Sequence, residues 1–111
     1  MAHATPLPGQ PVRGSTTGQP VMALFDLLGR AWAMGIVWQL GQGALTFRQL
    51  RQACEGVSPS LLNRRLKELR VAQLVEGGPD GYQLTLLGSD VLGLLRPLGA
   101  LADRWAVELG S

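Results

Sequence analysis

The sequence predicts a mainly α-helical domain that carries one small β-hairpin. Apolar residues recur at helical spacing in four segments, residues 20–28, 30–40, 47–54 and 58–70. After residue 70 the period changes, and two short apolar runs flank the turn sequence GGPDG, as in a β-hairpin. The helical period returns in residues 86–109, which are predicted to form a closing helix.

The composition indicates one folded domain without a metal or a cofactor. Hydrophobic residues make up 46% of the chain and charged residues 16%, which is typical of a globular protein with a sizeable core. The single cysteine excludes an intramolecular disulfide and a cysteine-rich metal site. Because the chain lacks a signal-peptide pattern and any apolar run of about 20 residues, we expect a cytoplasmic protein.

Residues 1–19 are predicted to be a flexible arm, and residues 20–109 the folded domain. The arm is rich in proline, glycine and threonine and has no periodicity. His3, the only histidine, lies in this arm and is not expected to be a ligand. After the arm, residues 20–28 are predicted to form a short apolar helix, and residues 30–40 a second helix that is apolar almost all round.

A helix-turn-helix pair is predicted between residues 46 and 70. Thr46 follows a brief extended link and can cap the next helix, whose buried stripe is Phe47, Leu50 and Cys54. The turn of residues 55–57 then leads directly into the helix of residues 58–70. Two helices joined by a three-residue turn that contains glycine match the spacing of this motif.

The helix of residues 58–70 has an apolar face and a polar face. Ser58 can cap its N-terminus, and Pro59 suits its first position. Leu62, Leu66 and Leu69 form the apolar stripe. The opposite face carries hydroxyls, an amide and cations: Ser60, Asn63, Arg64 and Lys67, with Arg65 and Arg70 at its flanks. Asparagine and arginine can bond base edges in a major groove, and serine and lysine can hold phosphates, although an ordinary solvated face has a similar composition.

Positive charge is concentrated around this helix. Residues 44–73 hold six cations and two anions, a net charge of +4, whereas the rest of the chain holds four cations and six anions. Arg48 and Arg51 project from the preceding helix and are expected to meet phosphates. This distribution is typical of a nucleic-acid footprint.

The closing helix is predicted to need a partner. Thr85 can cap it, and Pro97 is expected to kink it or to split it in two. Its apolar stripe is longer than a domain of this size can cover: Val91, Leu94, Leu95, Leu98, Leu101, Trp105 and Leu109. A helix of a second subunit is the natural cover, which predicts a homodimer.

Catalysis is not expected, because the sequence lacks the residue patterns of an enzyme. Residues 20–109 contain no histidine for acid–base chemistry or a catalytic triad, and no Cys/His cluster for zinc. The glycine-rich segments lack the lysine and the strand-to-helix context of a phosphate-binding loop.

From residue 19 to residue 105 the sequence resembles the HxlR-type bacterial transcriptional regulators, relatives of the MarR group. The matching segments are QPVMALFDLLGRAW, TFRQLRQACEGVSPSLLNRRLKELRVAQLV, YQLTLLG and ADRW. The resemblance implies a winged helix-turn-helix homodimer, joined through its first and last helices, that binds an inverted-repeat operator in double-stranded DNA. The expected DNA contacts are Ser58, Pro59, Ser60, Asn63, Arg64, Arg65 and Lys67, with Arg48 and Arg51 on the backbone.

Several residues depart from the family pattern. Gln19 stands where many members have a redox-sensing cysteine, and Cys54 lies instead at a core position, where a buried thiol is expected rather than a sensor. Thr46 replaces an arginine that is usual in the family. Gln73 replaces a glycine that ends the recognition helix, which here is the helix of residues 58–70. The wing, which is the predicted hairpin around GGPDG, has no lysine or arginine, although family members usually carry basic residues there. An alternative is therefore a winged-helix protein without specific DNA binding, which acts by protein contact or by binding a small molecule.

The second helix suggests an effector site. Trp38 occupies a position that is usually polar in the family, and Gly35 replaces a bulky aliphatic residue. We expect Trp38, Gly35, Met34 and Trp105 to border a cavity for a small apolar effector at the dimer interface. The alternative is that Trp38 simply pads the dimer contact.

Overall fold

The computed structural model describes residues 5–110 and contains five helices and one hairpin in that range. In chain order these elements are α1 (Pro20–Leu28), α2 (Ala33–Leu40), α3 (Phe47–Ala53), α4 (Pro59–Val71), β1 (Val75–Gly78), β2 (Gly81–Leu84) and α5 (Leu86–Glu108). The predicted mainly α-helical fold with a small hairpin is confirmed. The expectation about His3 lies outside the described residues.

The second helix begins three residues later than predicted. Residues 29–32 form a turn, and Trp32 has a left-handed backbone with φ of 70°, which a right-handed helix cannot contain. The predicted start at Arg30 is therefore wrong. The apolar pattern continues through this turn because the Trp32 ring packs against the core, so the sequence period alone does not show the break.

Three helices begin at the hydroxyl residues that the sequence predicts. The side chain of Thr46 accepts a hydrogen bond from the amide of Gln49, and the Gln49 side chain bonds back to the Thr46 amide, which completes a capping box. Ser58 accepts from the Leu61 amide at 3.1 Å, and Thr85 from the Gly88 amide at 3.0 Å. Each cap stabilises its helix by about 1 kcal/mol.

The hairpin is antiparallel and is tied to the link between α2 and α3. Its register pairs Val75 with Leu84. Compared with the predicted hairpin, β1 extends two residues and β2 one residue into the GGPDG segment. Leu45 and Tyr82 exchange two backbone hydrogen bonds of 3.0 and 2.8 Å, so the link pairs with β2 through one antiparallel bridge. At Gly81, which has φ of 118°, a Cβ atom would lie 2.3 Å from the Leu45 carbonyl oxygen, so glycine is required there.

The core is built around α2 and the inner face of α4. Leu62, Leu66 and Leu69 are almost fully buried, as the helical spacing predicts. They belong to one cluster with Ile36 and Val37 of α2, which are also fully buried. Burial of such side chains stabilises a domain by about 1.5 to 3 kcal/mol each, which makes this cluster the main support of α4.

The last helix is continuous and only half covered. Pro97 is predicted to kink this helix or to split it in two. Since Pro97 lies inside one continuous α5, the split does not occur, and the kink stays a prediction. Val91, Leu92 and Leu95 in its first half are buried. Its other large apolar side chains are exposed: Leu86, Leu87, Leu94, Leu98, Leu101, Trp105 and Val107, as is Leu109 at the C-terminal cap. The prediction that one chain cannot cover the whole stripe is confirmed for the described residues.

The described part of the arm lies against α1. Gly9 donates to the Gly18 carbonyl at 2.9 Å, which closes the arm into a loop. Pro6 is buried, and the Arg13 amide donates to the Asp26 carboxylate at 3.0 Å. The mobility of this segment stays a prediction.

No single helix among residues 5–110 is long and apolar enough to cross a membrane. Only α1 and α2 together reach that length and hydropathy, and an 86° bend separates them.

Candidate nucleic-acid interface

Helix α4 has the two faces that the sequence predicts. Its leucine stripe is buried, whereas its opposite face is exposed over the whole length of the helix and consists of Ser58, Pro59, Ser60, Asn63, Arg64, Lys67 and Arg70. At 100° per residue, Asn63, Lys67 and Arg70 fall within an arc of about 60°, and Arg64 lies beside them. The helix therefore presents an amide and three cations to one side.

The outward side chains of α4 are not used within the protein. Within residues 5–110, Asn63, Arg64, Lys67 and Arg70 have no side-chain hydrogen bond and no ion pair. Their donors are free to bond an external acceptor. A polar helix face without internal partners can bind DNA without first breaking bonds inside the protein.

Arg65 does not join this set. Its Nε donates to the Ala31 carbonyl at 2.8 Å, and its Nη1 donates to Glu68 at 3.0 Å. Glu68, although charged, is only 5% exposed, and it also accepts from Arg30 in the turn between α1 and α2. The structure thus places Arg65 in an inward ion-pair cluster that holds α4 to this turn, and not on the outward face with its neighbours.

The two arginines of α3 also have different surroundings. Arg48 is exposed and has no side-chain partner among the described residues. Arg51 is half-buried, and its Nε donates to the Val57 carbonyl at 2.9 Å. Arg51 therefore closes the turn between the two helices of the motif, which leaves Arg48 as the available cation of α3.

A groove between α4 and the hairpin adds two residues, Arg70 and Tyr82, to the predicted DNA contacts. This groove has a volume of about 710 Å³, with Lys67 and Arg70 on its helix side and Tyr82 on its hairpin side. Arg70 could have been predicted from the sequence, because it lies seven residues, or about two helical turns, after Asn63 and so shares its face of the helix. Tyr82 could not be found in this way, since its position depends on the hairpin register.

The wing itself carries negative charge. Glu76 and Asp80 are its only ionisable groups apart from Tyr82, and both acidic residues are exposed. Glu76 accepts a hydrogen bond from Gln83 of the neighbouring strand at 2.8 Å. The hairpin therefore has no cation for a phosphate or a minor groove.

Cys54 has the environment of a structural thiol. Its side chain is fully buried in the core cluster. Burial, and then the nearby Glu55 carboxylate, raise the pKa of the Cys54 thiol above its ordinary value. The reactive thiolate is disfavoured, in agreement with the expected buried thiol.

One chain does not bring the four predicted effector-site residues together. Gly35 lies under the ring of Trp32, which would be 3.0 Å from a Cβ atom at that position. The Trp38 ring instead lies over Gly99 of α5. Trp105 is six residues further along α5, about 9 Å in axial rise and on a different side of the helix. Met34, Trp38 and Trp105 are all exposed, so a shared pocket would need a second chain.

The fold and the exposed basic helix define a class of protein, the winged helix-turn-helix transcription regulators. The family follows from the sequence: residues 27–109 match the model of the HxlR-like helix-turn-helix family, and the chain belongs to this family. Its members are transcriptional regulators and not enzymes.

Individual relatives agree with this assignment. An HTH-type transcriptional regulator of Methanocaldococcus jannaschii is 26% identical over 88 residues, which cover 76% of this chain and 83% of that protein. The crystal structure of quinone-bound YodB from B. subtilis is 30% identical, covers 76% of this chain and 96% of that one, and has a TM-score of 0.70. A possible HxlR family transcriptional factor from Thermoplasma volcanium is 33% identical, covers 75% and 81%, and has a TM-score of 0.68.

Proposed function

We propose that this protein is a homodimeric transcriptional regulator that binds an inverted-repeat operator through α4. The observation that carries the proposal is the exposed face of α4, where Asn63, Arg64, Lys67 and Arg70 have no internal partners in the described chain. An α-helix of this size fits a major groove, and asparagine and arginine can bond base edges there. A cytoplasmic location follows from the proposal, because operator DNA lies in that compartment.

The charges around α4 support contacts with the DNA backbone on both sides of the major groove. Arg48 lies at the start of α3, and Lys67 and Arg70 line the protein's own groove between α4 and the hairpin. In a dimer these three cations would give six phosphate contacts. The logarithm of the binding constant should then fall with the logarithm of the salt concentration with a slope of roughly −5.

The exposed apolar surface supports the homodimer. Val21 and Phe25 of α1 are exposed, as are Leu98, Leu101 and Trp105 in the second half of α5. Soluble monomers rarely leave large contiguous apolar patches uncovered. Pairing these two helices with those of a second copy would bury the patches and would place the two α4 helices on successive half-sites.

The proposal is tested by fluorescence anisotropy with DNA from upstream of the protein's own gene. We expect the wild type to retain one fragment in the presence of competitor DNA, with the salt dependence given above. The double variant Arg64→Ala/Lys67→Ala should bind this fragment at least about 30-fold more weakly, since each lost contact costs about 1 to 3 kcal/mol. The fold and the dimer should be unchanged by circular dichroism and sedimentation.

A control variant separates the effect of α4 from the effect of net charge. Arg13→Ala/Arg104→Ala removes the same charge from the arm and from α5. Its affinity for DNA should change less than about threefold, because salt screens charges that lie far from the DNA. Equal losses in the two double variants would contradict a specific role for α4.

The acidic wing favours one alternative, a winged-helix protein without specific DNA binding that acts by protein contact or by binding a small molecule. Glu76 and Asp80 would repel phosphates if the hairpin approached a DNA backbone. In that case the wild type binds all DNA fragments equally and weakly, and the Arg64→Ala/Lys67→Ala variant has no functional effect.

An effector response through Trp38 is also part of the proposal. The exposed ring of Trp38, packed over Gly99, suits either a pocket wall or a dimer contact. Titration of apolar compounds against tryptophan fluorescence distinguishes the two. A response in the wild type that Trp38→Ala lacks supports the cavity bordered by Met34, Gly35, Trp38 and Trp105. Loss of the dimer in Trp38→Ala, without any response in the wild type, supports padding.

A further inference from the structure

An apolar recess lies under the N-terminal arm, away from α4's outward face. Its volume is about 230 Å³. The arm, α1, the connection from α4 to β1, and the start of α5 each contribute to its wall, through residues that include Pro6, Pro8, Ala23, Leu27, Ala72 and Val91. The recess is the one place among the described cavities where the arm, α1 and the end of the recognition helix meet.

Among residues 5–110, no charged or hydrogen-bonding side chain lines this recess. All the residues that line it are proline, leucine, alanine or valine. Ala23, Leu27 and Leu74, at its base, are each only 3% exposed. Water needs about two to four polar partners to remain in such a space, so an apolar occupant is favoured over water.

The size of the recess fits a small aromatic or aliphatic molecule. An apolar protein cavity of about 150 Å³ is enough to bind benzene, so 230 Å³ accommodates roughly six to ten non-hydrogen atoms. Much of this room exists because Ala23 and Ala72 have short side chains. A leucine at either position would fill it.

The recess does not coincide with the exposed face of α1. Val21 and Phe25 are exposed, whereas Ala23 and Leu27 face the recess. Residues two apart on a helix point about 200° apart, so these pairs lie on opposite sides of α1. A second copy that covers Val21 and Phe25 therefore does not need to fill the recess.

We propose that this recess is a binding site for an uncharged apolar molecule of roughly six to ten non-hydrogen atoms. Such a molecule would contact Pro6 and Pro8 of the arm, Ala23 of α1, and Ala72 at the end of α4. Its binding would therefore join the arm and α1 to the recognition helix. Control of DNA binding through this contact rests on the proposed function, whereas binding itself does not.

The first experiment measures binding by ¹H–¹⁵N NMR with toluene as the probe. We expect saturable shifts at the amides of Ala23, Leu27, Ala72 and Leu74, with a midpoint below about 1 mM, which a ligand of this size can reach. Benzoate has the same ring with a charge, and it should cause no saturable shift at these amides, because the recess offers its carboxylate no partner.

Two variants fill the recess from opposite walls. Ala23→Leu and Ala72→Leu should each weaken toluene binding at least about tenfold, the loss expected when the volume for most of the ring is removed. Ala100→Leu adds the same side chain to an exposed position of α5 and should leave binding unchanged. If Ala23→Leu does not fold, Ala72→Leu still decides the result, since its site is only half-buried.

Three results would overturn the proposed site. The first is the absence of any saturable toluene binding. The second is binding in both filled variants as tight as in the wild type. The third is a different occupant: loss of the dimer in both filled variants would assign the recess to a second copy, and toluene binding that appears only after deletion of residues 1–4 would assign it to the start of the chain.

The second experiment tests control of DNA binding. With the wild type bound to its operator fragment, saturating toluene should change the dissociation constant at least about threefold, and Ala72→Leu should abolish this change. Toluene binding with an unchanged dissociation constant would overturn the regulatory part. If the wild type binds no specific DNA at all, the proposed function fails, while the NMR result for the recess stands independently.

Discussion

At the residue scale, Gln73 is the clearest case of a sequence departure with a structural cost. The family position favours glycine, and the Gln73 backbone is left-handed, with φ of 63°. A non-glycine residue in this conformation costs about 1 to 2 kcal/mol. Replacement by glycine removes this cost, but part of the gain is lost because glycine has more conformational freedom in the unfolded chain.

Gln73→Gly is therefore expected to raise the free energy of unfolding by about 1 kcal/mol, measured by urea denaturation. The same substitution in a right-handed helix is the control: Gln52→Gly in α3 should lower the free energy of unfolding by about 1 kcal/mol. Destabilisation by both changes would show that the backbone of Gln73 is not strained.

Cys54 should make the stability depend on alkaline pH. Because burial raises the pKa of its thiol in the folded protein, the unfolded chain loses this proton at a lower pH than the folded chain. The contribution is fully present below the ordinary thiol pKa and is lost as the pH rises toward the higher folded pKa, by at most about 1.4 kcal/mol per pH unit.

Urea denaturation at pH 7 and pH 10 tests this expectation. The wild type should lose more stability between these two values than Cys54→Ala, which has no thiol to ionise. Equal losses in the two proteins would mean that the thiol is as accessible to ionisation in the fold as in the unfolded chain.

At the scale of elements, the ion-pair cluster around Glu68 holds α4 to the turn between α1 and α2. Glu68 accepts from Arg65 on the same helix and from Arg30 in the turn, and all three side chains are largely buried. Removal of the carboxylate takes from two largely buried arginines the anion that they share. Arg30 keeps its ion pair with Asp26 at 3.6 Å, so Arg65 is the more affected, and we expect a cost of about 3 kcal/mol.

Glu68→Gln should therefore lower the free energy of unfolding by about 3 kcal/mol, measured by chemical denaturation. Glu76→Gln is the matched control in the wing, where the carboxylate is exposed, and its effect should stay below about 0.5 kcal/mol. An equally small effect of Glu68→Gln would show that the cluster does not fix α4.

The elements that the sequence predicts well are those with local signals. The caps at Thr46, Ser58 and Thr85 and the leucine stripe of α4 depend on residues within one or two helical turns, so spacing alone finds them. The inward position of Arg65 is not local, because its acceptor is the carbonyl oxygen of Ala31, 34 residues away. The acceptor of Arg51, the Val57 carbonyl, is close in sequence, but it meets the guanidinium only through the conformation of the turn between α3 and α4. A helical wheel shows the direction of a side chain but not the acceptor that it meets.

Two further features depend on tertiary packing and were not predictable. The left-handed Trp32 interrupts an unbroken apolar pattern because its ring packs into the core. Tyr82 joins the groove beside α4 only through the register of the hairpin and its bridge to Leu45. Both require contacts between segments that are far apart in the sequence.

At the scale of the whole molecule, the exposed half of α5 provides the main surface for the proposed dimer contact. Leu101 and Trp105 lie on one face, and Trp105 is 64% exposed in the single chain. A charge on this face would have to be buried at the proposed dimer interface, without a partner.

Leu101→Glu is therefore expected to convert the protein from dimer to monomer at micromolar concentration, measured by analytical ultracentrifugation. Ala100→Glu adds the same charge about 100° around the helix and should leave the dimer intact. A wild type that sediments as a monomer would contradict the dimer irrespective of both variants.

The acidic wing has a consequence for the genome that such a regulator would control. If the hairpin reads no bases, each protomer specifies only the few base pairs that one helix spans, roughly four or five. A base sequence this short recurs by chance throughout a chromosome. Selectivity would then come from the requirement for two such half-sites at a fixed separation. Inserting or deleting a single base pair between them should therefore abolish recognition, even though every contacted base remains.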